Sequence, residues 1–167
     1  MCVSIGFVHA LIREYRPQDE WRVVELSLQA WTPVFASFEH VLGREIFARL
    51  HSDWRQDQAA AVRRTLADAA MQVWVAEAEQ LVIAFVAATL HRETRMGEIW
   101  MVAVDPEAQD EGVGTVLTNH ATDWLRGSGM RVAMVDTGGD PGHAAARRVY
   151  EKAGYTLLPV ARYFRAI

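Results

Sequence analysis

Val102-Ala-Val-Asp-Pro-Glu-Ala-Gln109-Asp-Glu-Gly112-Val-Gly114-Thr115 carries an apolar strand through a short loop into the start of an amphipathic helix. The strand stops at Asp105-Pro106, because proline fixes φ and removes a backbone donor. Gly112 and Gly114 let an anion approach the main chain closely. The first-turn N–H groups there have no intrahelical acceptor, and the helix dipole adds partial positive charge. The stretch therefore reads as a pyrophosphate cradle. Two other phosphate motifs do not fit it: no Gly-Lys-Ser/Thr follows, and Leu117 stands where a dinucleotide fingerprint has its third glycine.

Working outward, Val113, Val116, Leu117, His120, Ala121 and Trp124 form one helical stripe, which Gly127-Ser-Gly129 ends. His120 on that stripe reads as a core histidine. Upstream, Gly97–Val104, Leu81–Leu90 and Gln72–Glu77 read as strands, the last two joined by a hairpin at Glu77-Ala-Glu-Gln80. Leu81–Leu90 is nearly all apolar, which predicts cover on both faces. Residues 10–16 alternate as a first strand. Between Glu20 and about Leu50 the spacing predicts two helices with an aromatic connector from Trp31 to Phe38, and 57–70 reads as a third helix. Downstream come a strand over 131–136, a Gly-rich loop over 138–142, a helix over 143–153, and two short strands around Pro159.

Composition sets limits. A chain of 167 residues with 51% hydrophobic content can bury a full core as one domain, taken as 1–167. A net charge of -4, with only Arg63-Arg64 and Arg147-Arg148 as basic doublets, leaves no footprint for nucleic acid. The single cysteine, Cys2, rules out an internal disulfide and a multi-cysteine metal site. No basic-then-apolar leader opens the sequence and no apolar run is long enough to span a bilayer, so the expectation is a cytoplasmic protein without a membrane or metal partner.

The strand Val-Ala-Val-Asp-Pro, then Gln109-x-x-Gly112-x-Gly114 and its helix, resembles the acetyl-CoA motif of the GNAT N-acetyltransferase superfamily. A second block, Ala146-Arg-Arg-Val-Tyr150-Glu-Lys-Ala-Gly154-Tyr155, resembles the family's later helix, which ends in Tyr-Glu-Lys-x-Gly-Phe/Tyr. The order of elements agrees too, least clearly over 18–70. The resemblance implies an α/β fold: a mixed, mostly antiparallel sheet of about six to seven strands, splayed in the middle and flanked by about four helices. It implies acetyl transfer from acetyl-CoA, as co-substrate, to a primary amine of a small molecule or peptide, and it leaves room for a homodimer.

By position, Val102, Ala103 and Val104 would bind the pantetheine arm through their backbone. Gln109, Asp110, Glu111, Gly112, Val113, Gly114 and Thr115 would wrap the pyrophosphate. Tyr150 would be the general acid, since a phenol stays protonated at neutral pH. The same tyrosine shares a face with Ala146, Val149 and Ala153, as a core residue would. Glu98 would be the general base, and strand alternation places it on one face with Trp100, Val102 and Val104. An exposed strand-end role fits it equally.

Two departures from the family stand out. His143 occupies a position where Asn usually contacts the cofactor arm; an imidazole can keep one such hydrogen bond or act as an alternative base. Asp110-Glu111 replaces the basic residues common before the first glycine, with Arg147, Arg148 or Lys152 as compensating cations. With no cysteine in the core motifs, a covalent route is not expected. Trp31, Phe35 and Phe38, with His91 and Arg92, would shape an amine pocket or simply cover the sheet. A non-catalytic acyl-CoA-binding regulatory module is the alternative, and a plain α/β domain that binds no CoA is a third.

Overall fold

The structure is a computed structural model that describes residues 2–5 and 8–167, with side chains from residue 10 onward. One mixed sheet carries the strands in chain order: β1 (Cys2–Ile5), β2 (Val8–Glu14), β3 (Gln72–Ala78), β4 (Leu81–His91), β5 (Met96–Val104) and β6 (Val132–Val135). Neighbours are antiparallel except β5 and β6, which are parallel. The parallel pair needs a crossover, and helix α4 (Val113–Gly127) supplies it. Helices α1 (Glu20–Leu42), α2 (Arg44–Leu50) and α3 (Trp54–Ala67) lie between β2 and β3 in the chain, and α5 (Ala144–Lys152) follows β6.

Two apolar cores cover the sheet. On one face, Val113, Leu117, Ala121 and Leu125 of α4 pack on Trp74, Ala76, Val86, Ala88 and Ile99. Val113, Leu117 and Ala121 belong to the stripe read from the sequence, Leu125 adds to it, and each of the two fully buried leucines stabilises the fold by roughly 1.5–3 kcal/mol. On the other face, Val23, Val24 and Leu26 of α1 and Ala59 and Val62 of α3 pack on Val73, Val75, Phe85, Ala87 and Ala103. β4 is buried on both sides, as its unbroken apolar run predicts. Its hairpin with β3 turns at Glu79 and Gln80, both at positive φ (50° and 65°), the geometry of a type I′ turn.

Three sequence expectations need correction. The aromatic stretch Trp31–Phe38 is not a connector, because α1 runs through Pro33 without a break and stops at Gly43, where φ is 77°. Burial of Val34 and Phe35 after the proline outweighs the backbone hydrogen bond it removes. The two strands expected around Pro159 do not form, and residues 155–167 have neither strand nor helix. An additional edge strand, β1, lies before the first strand read from the sequence.

The sheet parts where the sequence resemblance places a splay. β5 and β6 pair only from Met96↔Val132 to Ile99↔Val135, while β5 continues to Val104. A register shift falls in the same place: Ala88 opposes Ile99 but Ala87 opposes Met101, which leaves Trp100 as an extra residue. Such a bulge bends its strand and strengthens local twist.

Gly97 sits just before the parting, against α4. A Cβ there would stand 2.8 Å from Leu125 Cγ, and Leu125 is almost fully buried. Gly97→Ala should therefore destabilise the fold by about 1–3 kcal/mol through overpacking. A lower urea midpoint at unchanged slope would show this, and an unchanged midpoint would mean that α4 yields freely.

Candidate active site

Where β5 and β6 diverge, a cleft of about 420 Å³ opens. Its floor is β5 from Ile99 to Val104. One wall is the turn Gln109–Thr115 with the start of α4, and the other is the end of β6 with α5. Trp31 and Val34 of α1 close it from the opposite face.

The turn is built by backbone conformation. Asp110 has φ 63° and Gly112 φ 86°, both left-handed, so the chain reverses sharply and α4 begins at Val113. At Gly112 only glycine takes this conformation without cost. No side chain caps α4, so its first N–H groups are presented at the cleft. The Gln109 amide donates to the Val104 carbonyl (3.1 Å), which folds the turn back on β5. Asp110 is exposed at the margin, and Glu111 is not among the lining residues. Of the three compensating cations, Arg148 and Lys152 line the cleft. Arg147 instead donates to the carbonyls of Gly138 (2.5 Å) and Asp140 (2.9 Å).

The turn is anchored by a residue pair that sequence reading missed. Asp105 accepts from Glu107 N–H (2.9 Å), and its other oxygen pairs with Arg22 of α1. Arg22 also donates to the Val82 carbonyl (3.0 Å) and pairs with Glu25 (2.8 Å). Both partners are nearly buried, with side-chain exposures of 12% and 9%. Asp105-Pro106 is a readable cap signature, but its partner lies 83 residues away.

Tyr150 forms part of the α5 wall, with its ring 6.2 Å from Tyr155. Burial, with a smaller contribution from Tyr155, pushes its hydroxyl up to about 12. No hydrogen-bond partner for that hydroxyl occurs among the described residues, whereas Tyr155 is tied to Thr122 (2.7 Å). A protonated phenol at a cleft wall can hand a proton to a leaving anion.

Glu98 sits elsewhere than strict alternation places it. The bulge at Trp100 shifts the phase of β5, so Glu98 opposes Thr89 and shares a face with Met101 and Ala103, not with Val102 and Val104. Its carboxylate meets His91 Nε2 (2.8 Å), and it is absent from the cleft lining. Trp100 lines the cleft and is half exposed.

His143 lines the cleft at the start of α5, its ring 5.3 Å from Phe38 of α1. Its Nδ1 lies 2.5 Å from Asp140 Oδ1. Asp140 Oδ2 accepts from Ser37 Oγ (2.5 Å) and from Gly142 N–H (3.0 Å). Burial alone would raise the Asp140 carboxyl, but the hydrogen bonds from Ser37 and His143 outweigh it and hold it below the usual carboxylate range. Gly142 comes so close to α1 that a Cβ would lie 2.6 Å from Ser37 Cβ and 3.0 Å from Val34 Cα. Phe35 and Phe38 pack with Trp54 and His51, and neither phenylalanine is among the residues lining the cleft. His120 packs edge-on against Trp74 (5.1 Å), as a core histidine would.

The acetyltransferase (GNAT) family model matches residues 29–155, a span that holds every residue lining the cleft. The chain belongs to the GNAT family. It is 30% identical over 116 residues to the mycothiol acetyltransferase of Streptomyces griseus, a match covering 65% of this chain and 37% of that protein. The mycothiol acetyltransferase of Sanguibacter keddieii is 44% identical over 66 residues, 40% of this chain and 20% of its own. The chain thus spans well under half the length of these curated relatives. Among solved structures, the PaiA N-acetyltransferase of Thermoplasma acidophilum, in complex with coenzyme A, has the same GNAT fold (TM-score 0.67, 14% identity, covering 91% of this chain and 92% of that one). So does the aminoglycoside antibiotic 6'-N-acetyltransferase of Acinetobacter haemolyticus (TM-score 0.60, 16% identity, 94% and 98%).

The raised Tyr150 hydroxyl of this GNAT chain has a consequence for stability. Below pH 10 the group is protonated in both folded and unfolded chains and contributes no slope. Between about 10 and 12 the unfolded chain loses that proton while the folded chain retains it, so stability falls as pH rises. Tyr150→Phe should remove this part of the alkaline loss. Urea melts of both proteins at pH 9 and pH 11 test it, and an identical decline in the two would refute the shift.

Proposed function

We propose that this GNAT domain moves an acetyl group from acetyl-CoA to the primary amine of a small molecule by direct attack. The observation that carries the reading is the meeting of three features at one cleft. These are the edge of β5 left open beyond Ile99, the uncapped N-terminus of α4 behind Gly112, and the Tyr150 phenol on the facing wall. The chemistry of an acyl-CoA fits each of them. An amide-rich pantetheine can pair with an open strand edge as a further strand would. Val102, Ala103 and Val104 would hold it, with His143 alongside. A diphosphate needs several N–H donors at close range, and the turn from Gln109 to Thr115 can offer them, main-chain groups of Asp110 and Glu111 included. Arg148 and Lys152, which line the same cleft, would offset the charge of Asp110.

In the reaction, a β5 N–H polarises the thioester carbonyl. The neutral amine attacks, the C–S bond breaks, and Tyr150 gives its proton to the departing sulphur. Glu98, paired with His91 outside the cleft lining, would reach the amine only through solvent. The route is direct, since Cys2 lies on β1 at the sheet edge opposite the cleft. The relatives named as mycothiol and aminoglycoside acetyltransferases support a small-molecule acceptor and lend nothing to a non-catalytic binding module. On this reading 1–167 acts as one domain in the cytoplasm, with no resident metal. No metal-binding cluster and no helix long and apolar enough to cross a membrane occur among the described residues.

Two variants separate binding from chemistry. Gly112→Glu puts bulk, charge and a strained left-handed residue at the cradle, and calorimetry with CoA should show at least a tenfold loss of affinity, about 1.4 kcal/mol or more. Retained affinity would place the phosphates elsewhere. Tyr150→Phe should bind CoA nearly as well as the parent but release thiol on the order of 100-fold more slowly in the presence of an amine. An undiminished rate would take Tyr150 out of the mechanism.

A further inference from the structure

Direct attack needs an acceptor for the amine proton inside the cleft, and Glu98, to which the family resemblance gives that role, is paired with His91 outside the cleft lining. His143 is the one histidine among the residues that line the cleft. Its side chain is 14% exposed and that of Asp140 9%, so their contact is largely shielded from water. Asp140 is held from two further sides, by Ser37 of α1 and by Gly142 N–H. An ionised carboxylate can only accept, so the proton between the two groups belongs to His143 Nδ1. In the neutral ring Nε2 is then bare, an acceptor and not a donor. The Nδ1–Cε1 edge of the ring lies against Gly138, where an added Cβ would touch both atoms. Nε2 is thus on the side of the ring away from Asp140, in a residue that lines the cleft. An asparagine at this position could donate to a cofactor amide; a neutral histidine with this tautomer cannot, but it can take a proton.

We propose that the Asp140–His143 pair is the proton acceptor for the substrate amine, with His143 Nε2 as the catalytic base and Asp140 and Ser37 as positioning residues. The inference rests on the acetyl-transfer reading above. Attack by the neutral amine forms the C–N bond and drives the carbonyl electrons onto oxygen. Nε2 takes one N–H proton from the resulting ammonium. Collapse breaks the C–S bond and leaves its electron pair on sulphur, which Tyr150 protonates. Exchange with solvent returns the His143 proton to Tyr150, so one amine proton is lost and one thiol proton gained. Ser37 is not a nucleophile here, because its hydroxyl donates its proton to Asp140 and not to the imidazole. The charged and titratable groups around the ring are Asp140 on its own segment, Arg147, Arg148, Tyr150 and Lys152 on α5, and Asp136 just after β6; the α1 neighbours Ser37 and Phe38 are neutral.

The test uses the full chain, acetyl-CoA and a panel of glucosamine, L-lysine, spermidine and kanamycin, with thiol release followed from pH 5 to pH 9. His143→Asn should lower kcat on the order of 100-fold, leave the CoA dissociation constant within about threefold, and abolish the acidic limb of the rate profile. Asp140→Asn should lower kcat roughly tenfold with little change in either KM. Nitrogen-15 spectra of the parent at pH 8 should show His143 protonated at Nδ1 and bare at Nε2, and that signature should be lost in Asp140→Asn. A His143→Asn protein with parental kcat and an unchanged acidic limb would overturn the proton-acceptor role while leaving acetyl transfer intact. So would a parent ring protonated at Nε2. A parent protein that binds CoA but releases no thiol with any of the amines would bring down the acetyl-transfer reading itself, and the base with it.

Discussion

The brief pairing of β6 with β5 is the constraint on which the site depends. Four residues of parallel ladder hold the two strands together, and beyond Ile99 and Val135 they part. A sheet that stops pairing in mid-strand leaves main-chain donors and acceptors exposed, and buried groups of this kind carry a cost unless something satisfies them. Here the exposed edge is kept as the floor of a cleft. The Trp100 bulge marks the place where the ladder ends, and α4, which joins the two strands, brings its N-terminus to the same opening. Ladder end, helix end and cleft are one structural event, fixed by a parallel pair whose crossover begins at Gly112.

Charge plays an unusual part in this event. The protein is acidic, and its cradle carries Asp110 and Glu111 where a basic residue would help an anion. Attraction at the turn must then come from oriented N–H groups and the α4 dipole, equivalent to roughly half an elementary charge at the helix end. That field acts only over the first turn. On the proposed reading Arg148 and Lys152, which line the cleft, would supplement it across the gap, while Arg147 is committed to the loop carbonyls that shape the His143 segment. Sequence alone cannot divide these three cations between binding and scaffolding, because they lie within six positions on one short helix and differ only in rotation about its axis.

What the sequence could disclose was local. The strand-turn-glycine-helix unit, the α4 stripe, the doubly buried β4 and the β3–β4 hairpin each follow from spacing within about fifteen residues, and the structure has all four. Alternation misplaced Glu98 because it assumes an unbroken pleat, and one extra residue at Trp100 reverses every side chain before it. Pro33 suggested a break in α1, yet burial on both sides of it keeps the helix whole. The ties that set the site, Arg22 to Asp105 and Ser37 to Asp140, span 83 and 103 residues and leave no trace in any window. What could have been read is their common half: both walls start at an Asp-Pro step, where the aspartate accepts from the N–H two residues on.

These two steps give α1 a role beyond covering the sheet. Arg22, near its start, holds Asp105 at the entry to the cradle; Ser37, near its end, holds Asp140 at the entry to α5. Fifteen residues of helix separate them, about 22 Å at 1.5 Å per residue. One rigid element is therefore fastened to both walls of the cleft and sets the distance between them. Its only interior weakness is Pro33, which lies between the two fastenings and beside the lining residues Trp31 and Val34. A helix that lacks one hydrogen bond at this point can flex there with neither end released. Any adjustment of cleft width to an incoming substrate would then be concentrated at Pro33, while the cradle and the His143 segment move as bodies tied to the helix ends.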